Sequence, residues 1–439
     1  MKRINWSGRG VAATSAGAGG LALGYGASLL VPALGSPQFW DIAAQPVATA
    51  FAGIGAISAG YLAFQNGQKG RRLDAQHHRE NAERDRESDL RDRYTTAAAQ
   101  LADNHPAIRE AGAYAIAALA DDWIRFGVAS DQSLRARSEQ QVCVDLLCSY
   151  LRSNRQLVRQ TSRADQEPQP PTQSEVEERA VRSSIVDILR GQAGTSLVSS
   201  GVGSRPHVRL DGADLARVDL SEADLVNASL IGVNLAHANL HGINLKSADL
   251  TDANLRNADL RLGFLRDATL RNADLTSCNM YEVDLSGANL YLAQLSGAHM
   301  TGANLNNADL TDTKLIKTQL NGAMLIEVEL DGADLSRAFL QNADLTGALL
   351  RGADLSDATL VGAELIATNL AEAELVDADL TDADLTFADL TGADLRGANL
   401  TRADFTDADL TGADLGTTQD KARYDDTTIW PAGFTPLED

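Results

Sequence analysis

Carboxylates are the most frequent side chains in this chain that could do acid–base chemistry or bind a metal ion. The sequence has 60 Asp and Glu residues, of which 34 lie between residues 211 and 415. Paired carboxylates are unavoidable at that density, so pairing alone does not identify a site. We interpret these aspartates as solvated side chains that also hydrogen-bond the backbone at corners.

Histidines and known catalytic motifs give no stronger signal. His77 and His78 are adjacent on a predicted helix, where neighbouring residues do not face each other. His237 and His241 occupy different positions within their repeats. No Ser/His/Asp arrangement, P-loop or dinucleotide fingerprint occurs in a supporting context. We therefore predict no catalytic residue, no cofactor and no metal site, and we do not expect an enzyme.

The three cysteines, Cys143, Cys148 and Cys278, are too few and too scattered for a disulfide framework. Cys143 and Cys148 fall on different faces of one predicted helix. Cys278 lies in a five-residue repeat, described below, at the position that is usually alanine. We predict that all three are structural thiols, a pattern typical of a reducing compartment.

The negative charge of the chain is concentrated in its repetitive half. The formal net charge is −22, and residues 211–415 alone hold 34 acidic and 12 basic residues, a net charge of −22. The remainder of the chain is therefore neutral. An acidic surface repels nucleic acid and membrane headgroups, so we expect a basic protein partner or a role in solubility, and no direct nucleic-acid binding.

A period of five residues organises the chain from residue 210 to residue 415. Every fifth position, 42 in all, holds 39 Leu, two Met (Met280 and Met300) and Phe405, and the position two residues earlier is alanine in 31 of 42 units. One large and one small side chain, two residues apart, can point inward from an extended segment. The polar residues between units suit corners, where Gly, Asn and Asp tolerate unusual backbone angles.

A five-residue unit cannot bury its leucine alone, so the units must stack. Four extended sides and four corners make a square coil of twenty residues with leucines in its bore. Successive coils would be joined by backbone hydrogen bonds at about 4.8 Å. The 42 units then form about ten and a half coils, or a rod of roughly 50 Å.

This A(D/N)LXX pattern resembles the pentapeptide-repeat family. The resemblance implies a right-handed quadrilateral β-helix, so we predict a mainly β solenoid of about ten coils preceded by an α-helical, membrane-anchored region. Residues 421–436 resemble the segment that often follows such repeats, and Trp430, Pro431 and Phe434 would cover the last coil. A helix at 174–191 would cover the first coil with Val181, Ile185, Ile188 and Leu189.

Two apolar segments near the N-terminus, residues 11–34 and 42–64, are each long enough to span a bilayer. Asp41 is the only charged residue between Arg9 and Lys69. Positive charge at both outer ends favours a hairpin with both termini and the β-helix in the cytoplasm. We therefore predict a multi-pass protein of the bacterial inner (plasma) membrane. A cleaved signal peptide and a buried soluble hairpin remain open alternatives.

Between these segments and the repeats, the sequence predicts helices. Residues 69–93 mix acidic and basic residues at helical spacing and form a charged stalk. Two helices separated at Pro106 and a third at 138–155 follow, with a loop at 121–138. This stretch resembles the HEAT-like segment of bacterial membrane-anchored pentapeptide-repeat proteins. Residues 161–175 are a proline-rich linker.

The predicted organisation has six segments. They are a two-span hairpin (1–68), a stalk and helical module (69–160), a linker (161–175), a capping helix with its connector (176–207), the β-helix (208–415) and a C-terminal cap (416–439).

Apolar residues at outward positions are the only asymmetry of the rod that the sequence shows. The twenty-residue period places Val226, Phe264, Met324, Ile326, Ile366 and Phe387 on one face. Leu262, Tyr281, Phe339 and Val361 fall on another. We predict that Phe264, Met324, Ile326, Ile366 and Phe387 form a surface for a partner or for self-association.

These patterns favour a non-enzymatic, membrane-anchored interaction scaffold with an unidentified protein partner, and a homo-oligomer is a further expectation. The alternative function is a DNA mimic that binds a DNA topoisomerase. The family resemblance implies it, because some such proteins protect topoisomerases by presenting a DNA-sized acidic rod. A transporter or channel component has less support, since the predicted spans contain no charged residue that could form an ion pathway.

Overall fold

The structure is a computed structural model that describes residues 37–130, 132–153, 172–191, 206–416 and 422–433, with side chains from residue 53 onward. The chain divides into two compact units, Met1–Arg86 and Glu87–Asp439. Helix α1, Pro37–Leu101, contributes to both. It begins at a proline, whose fixed φ and missing N–H suit the first helical turn.

The prediction of an inner-membrane, multi-pass protein is wrong. Within the described residues, the structure contains no helix that is both long enough and apolar enough to span a bilayer. Segment 42–64 is part of α1, which is rich in Gly and Ala and continues without a break into the charged residues after Lys69. Segment 11–34 lies outside the described residues.

The second unit begins with a module of four packed helices. The C-terminal part of α1 is followed by α2 (Pro106–Ser130), α3 (Ser133–Arg152) and α4 (Gln173–Leu189). The break between α1 and α2 falls at Pro106, as predicted. The predicted loop at 121–138 is wrong, because α2 and α3 include nearly all of it. Trp123 and Phe126, three residues apart, pack edge to face at 5.8 Å and bury this part of α2.

A buried ionic network joins three of these helices. The Arg109 guanidinium of α2 donates hydrogen bonds to Glu178 of α4 at 3.0 Å and to the Tyr150 hydroxyl of α3 at 2.9 Å. That hydroxyl donates to the same Glu178 oxygen at 3.1 Å. A buried ion pair has a large desolvation cost, so these additional hydrogen bonds are needed to hold both charges inside the module.

The capping helix differs slightly from the prediction. It was predicted at 174–191, but its N-cap is Thr172, which forms a capping box with Glu175. The helix ends before Gly191, whose φ of 80° suits glycine after a helix. Its predicted apolar face is buried, namely Val181, Ile185, Ile188 and Leu189.

Both α3 and α4 cover the first coil of the rod. The Arg182 side chain of α4 donates to the Asp214 carbonyl at 3.1 Å. The Gln141 amide of α3 exchanges hydrogen bonds with the His207 backbone at 2.7 and 2.8 Å. The sequence predicted the covering role of α4 but not that of α3, which depends on how the helices pack together.

The rod is a β solenoid held together by four parallel ladders of backbone bridges. Each bridging residue pairs with the residue twenty positions later, except Asp404, which pairs with Arg423. Ladder I runs from Arg209 to Ile429, ladder II from Asp214 to Asp414, ladder III from Asp219 to Asn399, and ladder IV from Asp224 to Asp404. Each coil therefore has four sides, as the period of five predicted.

Corners are tight turns from one leucine to the next alanine. The Ala213 N–H donates to the Leu210 carbonyl at 3.0 Å, and equivalent bonds recur along the rod. The second corner residue has positive φ, for example 66° at Gly212 and 55° at Asn272. This geometry explains why Gly, Asn and Asp are frequent there.

The bore is filled by the repeated large and small side chains. The Leu column, with Met280, Met300 and Phe405, is buried throughout, and so is the alanine column apart from the half-buried Val218. Cys278 is buried in an alanine position, as predicted, and its Sγ lies 2.7 Å from the Leu255 carbonyl. A polar side chain can therefore occupy a position of the alanine column when it donates a hydrogen bond to a backbone carbonyl of the coil.

The C-terminal segment extends two of the ladders and covers the last coil. Arg423 bridges to Asp404, and Ile429 bridges to Asp409. The Trp430 ring lies 6.2 Å from the Phe405 ring and 5.4 Å from the Tyr424 ring, measured between centroids. The predicted covering role of Trp430 is confirmed, whereas Phe434 lies outside the described residues.

Alanine substitutions of two leucines in adjacent coils, one buried and one exposed, can test the packing of the bore. Leu330 is fully buried, and its N–H donates to the carbonyl of Leu349, whose side chain points outward and is exposed. We expect Leu330→Ala to lower the free energy of unfolding by about 2–5 kcal/mol because it leaves a cavity. Leu349→Ala, the control, should change it by less than about 0.5 kcal/mol. Equal losses in urea denaturation would contradict this account of the core.

Candidate interaction surface

The outward surface of the rod consists of the bridging residues and the corners, and aspartate is the most frequent bridging residue. Most bridging aspartates accept a hydrogen bond from the backbone N–H two residues later, as Asp334 does from Ser336 at 3.1 Å and Asp384 from Thr386 at 3.0 Å. Asn369 makes the same bond to Ala371 at 3.0 Å. The predicted corner hydrogen bonds are confirmed. Each of them uses one carboxylate oxygen, and the second oxygen of some aspartates accepts a bond from another side chain, as Asp394 Oδ2 does from Arg396.

Two ladders carry unbroken runs of carboxylates in the C-terminal half of the rod. We call each bridging residue of a ladder a rung. Ladder II has five consecutive acidic rungs: Asp334, Asp354, Glu374, Asp394 and Asp414. Ladder IV has four: Asp344, Glu364, Asp384 and Asp404. Rungs lie about 4.8 Å apart, a distance at which like charges directly opposite each other are destabilising. A cationic partner would relieve that repulsion.

The two halves of the rod differ strongly in charge. Residues 211–320 contain 14 acidic and 8 basic residues, whereas residues 321–415 contain 20 acidic and 4 basic residues. The second segment spans almost five coils, or about 23 Å. Its net charge of −16 therefore corresponds to about one negative charge per 1.4 Å of axis, comparable with about one per 1.7 Å in duplex DNA.

All four basic residues of the acidic half are arginines in ion pairs. Arg337 pairs with Asp357 at 3.3 Å and Arg351 with Glu372 at 3.0 Å. The two others, Arg396 and Arg402, pair with Asp394 and Asp382. These exposed pairs each contribute little to stability. Arg396 contacts two carboxylates of ladder II, Asp394 and Asp414, whereas the other three arginines pair with carboxylates at corners.

Hydrogen bonds from arginine lower the pKa of two of these carboxyl groups, Asp394 (from Arg396) and Asp382 (from Arg402). A carboxyl whose pKa is lower in the folded state stabilises that state above its unfolded pKa of about 3.9. That contribution is lost as pH falls through the folded pKa. At neutral pH these groups are therefore ionised and contribute to the acidic surface.

The predicted apolar residues lie along one side of the rod. Phe264 and Met324 are both rungs of ladder IV, three coils apart. Ile326 and Ile366 stack two coils apart at the corner that follows ladder IV, and Phe387 lies at that corner one coil further on. We call ladder IV and this following corner the ladder IV face.

The ladder IV face is not one continuous apolar patch. Phe264, Met324 and Phe387 are exposed, whereas Ile326 and Ile366 are half-buried. Between and beyond the apolar rungs stand Asp284, Asn304 and the acidic run from Asp344 to Asp404. The face therefore combines separated apolar side chains with carboxylates, and it suits a ligand that is both basic and apolar.

Phe387 combines the positive φ that second corner residues share with a large, exposed aromatic side chain. Its φ is 61° and its side chain is 62% exposed. Bulky residues rarely adopt positive φ, because Cβ then crowds the following carbonyl oxygen. An aromatic side chain that is both strained and solvated is a candidate for a role in binding.

Leu262 and Tyr281 lie in adjacent coils at the corner that precedes ladder IV. The Leu262 N–H donates to the Tyr281 carbonyl at 3.0 Å across one corner, two residues before Phe264. The sequence assigned Leu262 and Tyr281 to another face because a corner belongs to two sides. The exposed Leu292 and Leu349 were not predicted, although the twenty-residue period was sufficient to locate them.

The remaining chemical candidates do not assemble into a reactive site within the described residues. Burial raises the pKa of both Cys143 and Cys278 to about 12 and that of Cys148 to about 11, so these thiols are protonated at neutral pH. The described part of the chain contains no group of three or more His, Cys, Asp or Glu side chains that could hold a metal ion.

Comparison with known proteins addresses the repeats. A family model described as "Pentapeptide repeats" matches in successive overlapping copies from residue 209 to residue 416. A search of curated protein sequences finds no match to this chain.

Three solved structures of other proteins are similar to parts of this chain. HetL, a pentapeptide repeat protein involved in heterocyst differentiation regulation from the cyanobacterium Nostoc sp. strain PCC 7120, is 39% identical, over 44% of this chain and 87% of HetL, with a TM-score of 0.43. QnrB1, a plasmid-mediated fluoroquinolone resistance protein, is 22% identical over 37% of this chain and 89% of QnrB1, with a TM-score of 0.31. Rfr23 from the cyanobacterium Cyanothece 51142 is 42% identical over 21% of this chain and 63% of Rfr23, with a TM-score of 0.21.

The backbone strain at Phe387 can be measured by comparing two substitutions. Glycine adopts positive φ without the steric cost that alanine incurs. We therefore expect Phe387→Gly to be more stable than Phe387→Ala by about 1 kcal/mol, the reverse of their order in a helix. Thermal unfolding monitored by circular dichroism measures this difference. A more stable alanine variant would show that φ at this corner is not positive in solution.

Proposed function

The chain belongs to the pentapeptide-repeat family, and on that basis we propose that its acidic rod is a non-enzymatic scaffold that binds a basic segment of a partner protein. The observation that carries this proposal is the ladder IV face, where four consecutive carboxylates adjoin the apolar Ile326, Ile366 and Phe387. A helix with lysines and leucines on one side would match both features. Its turn of about 5.4 Å is close to the coil spacing of about 4.8 Å.

The carboxylates and the apolar residues would contribute differently to binding. Charge on an open surface steers association and loses strength as salt rises. Exposed aromatic and aliphatic side chains provide affinity by burial, which salt does not screen. The proposed partner surface therefore comprises Phe264, Met324, Ile326, Ile366 and Phe387 together with the acidic rungs between and beyond them.

A defined peptide can test this surface on the full-length protein. The probe is a synthetic amphipathic helix of lysine and leucine, and oligolysine of the same charge reports the purely ionic contribution. We expect the amphipathic probe to bind more tightly. The double variant Ile366→Ser/Phe387→Ser should lower its affinity about tenfold, or about 1.4 kcal/mol, and leave oligolysine binding unchanged. Fluorescence anisotropy at fixed salt measures both.

Matched substitutions on the other sides of the rod serve as controls. Phe339→Ser/Leu292→Ser removes two exposed apolar side chains, one on ladder III and one at the corner between ladders I and II, and should leave the affinity of the amphipathic probe unchanged. Equal losses in both double variants, or a loss in neither, would rule out the ladder IV face as the binding surface.

A second candidate function, mimicry of DNA toward a DNA topoisomerase, is favoured by one observation. Residues 321–415 carry about the axial charge density of duplex DNA, with five consecutive acidic rungs on ladder II. A topoisomerase that binds DNA through its phosphates would meet a comparable array of negative charge.

A supercoiling assay with a bacterial type II topoisomerase separates this second candidate from the first. If the rod mimics DNA, the full-length protein at micromolar concentration should inhibit supercoiling. Asp354→Asn/Glu374→Gln/Asp394→Asn should weaken that inhibition about tenfold, because it removes three adjacent charges of ladder II. Absence of inhibition by the unaltered protein would eliminate the DNA-mimic function and leave the scaffold proposal intact.

A further inference from the structure

The part of helix α1 that lies in the first compact unit of the chain has an exposed apolar stripe. The stripe consists of Ile54, Ile57, Tyr61 and Phe64, whose side chains are between 56% and 75% exposed. Their spacing of three, four and three residues places them on one side of the helix, at the a and d positions of a heptad. Every residue from 53 to 64 is exposed, so no described residue covers the stripe.

Three glycines recur beside this stripe at heptad spacing. Gly53, Gly60 and Gly67 are seven residues apart, and a Cβ atom added to any of them would meet no atom within 4 Å. Nothing in the described structure therefore requires glycine there, and glycine is unfavourable within a helix. At heptad spacing the three glycines align next to the a and d positions, where the absence of side chains allows another backbone to approach closely.

The charge pattern of α1 favours a second copy of the chain as the neighbour. Residues 53–68 contain no charged side chain, and the residues flanking the stripe include Ser58 and Gln65. Two copies that met through their rods would bring two acidic surfaces together. Two copies that meet through this part of α1 bring together only apolar, small and uncharged residues.

The area of the stripe is sufficient for a specific contact between two helices. Large apolar side chains bury about 150–250 Å² each when fully covered. At the observed exposures, the four side chains of two copies offer roughly 1,000 Å² in total, which is about the minimum for a specific protein interface.

We propose that α1 pairs with α1 of a second copy through Ile54, Ile57, Tyr61 and Phe64, with the glycine line beside this contact, where it lets the partner helix approach. The contact would bring two rods into one assembly, and it is independent of the function proposed for the rod. Pairing of two binding surfaces would raise the avidity for a partner that presents two basic segments.

Sedimentation velocity on the full-length protein tests this pairing. We expect the unaltered protein at tens of micromolar to have twice the mass of one 46.6 kDa chain. The double variant Ile57→Gln/Phe64→Gln should raise the dissociation constant of the dimer at least about tenfold. Glutamine is a good helix former, so the variant removes the apolar stripe without breaking the helix.

The same helix supplies a matched control. Leu62 and Leu73 are exposed apolar residues of α1 that lie off the stripe. Leu62→Gln/Leu73→Gln should leave the dimer unchanged. A monomer at every concentration of the unaltered protein, or equal effects of the two double variants, would overturn the proposal. So would association with lipid vesicles that depends on Ile57 and Phe64 while the mass in solution stays that of one chain.

The glycine line provides an independent test that does not remove any apolar residue. Gly60→Leu should weaken the dimer at least about tenfold, although it raises the intrinsic helix propensity of α1. Gly55→Leu makes the same change off the glycine line and should have no effect on the dimer. If Gly60→Leu dimerises as well as the unaltered protein, the helices do not pack along the glycine line and the proposed contact is wrong.

Discussion

The structure depends on one constraint, namely that a five-residue unit cannot bury its own leucine. Each leucine is covered by the other inward side chains of its own coil and by those of the coils before and after it, so no coil is stable alone. Backbone bridges between residues twenty positions apart hold those coils in register. Because the bore admits one large and one small side chain per side, the outward positions vary far more than the inward ones. Function must therefore be carried on the outside of the rod.

The regular repeat that forms the core also stacks carboxylates on the surface, where they repel one another. A bridging aspartate is favourable locally, because it accepts the backbone N–H of the next corner, as Asp384 does. Repeated in every coil, however, it places carboxylates above one another about 4.8 Å apart. In residues 321–415 only four arginines offset 20 acidic residues. The folded rod thus retains electrostatic repulsion that a basic ligand would relieve, and this links its fold to its proposed role.

A solenoid also needs both ends covered, since an open coil exposes unpaired backbone groups and apolar side chains. In this protein α3 and α4 cover one end through bonds from Gln141 and Arg182 to the first coil. At the other end the chain makes two more bridges and places Trp430 against Phe405. In the helical module, by contrast, a buried ionic network around Arg109 sets how the helices pack. The two regions of this unit are therefore specified by different interactions.

The sequence alone determined the coil, its twenty-residue period and the inward residues. Every five-residue unit has the same pattern of residues and therefore adopts the same conformation. It also located Phe264, Met324, Ile326, Ile366 and Phe387 on one side of the rod. It could not show that Phe387 has positive φ, or that Phe387 is exposed while Ile326 and Ile366 are half-buried. Hydropathy also misled at residues 42–64, since an apolar composition does not reveal whether the helix continues into charged residues. Only the folded structure decided these points. They depend on the backbone geometry of each corner, on the contacts between coils and on where a helix ends, and the residue pattern alone does not determine them.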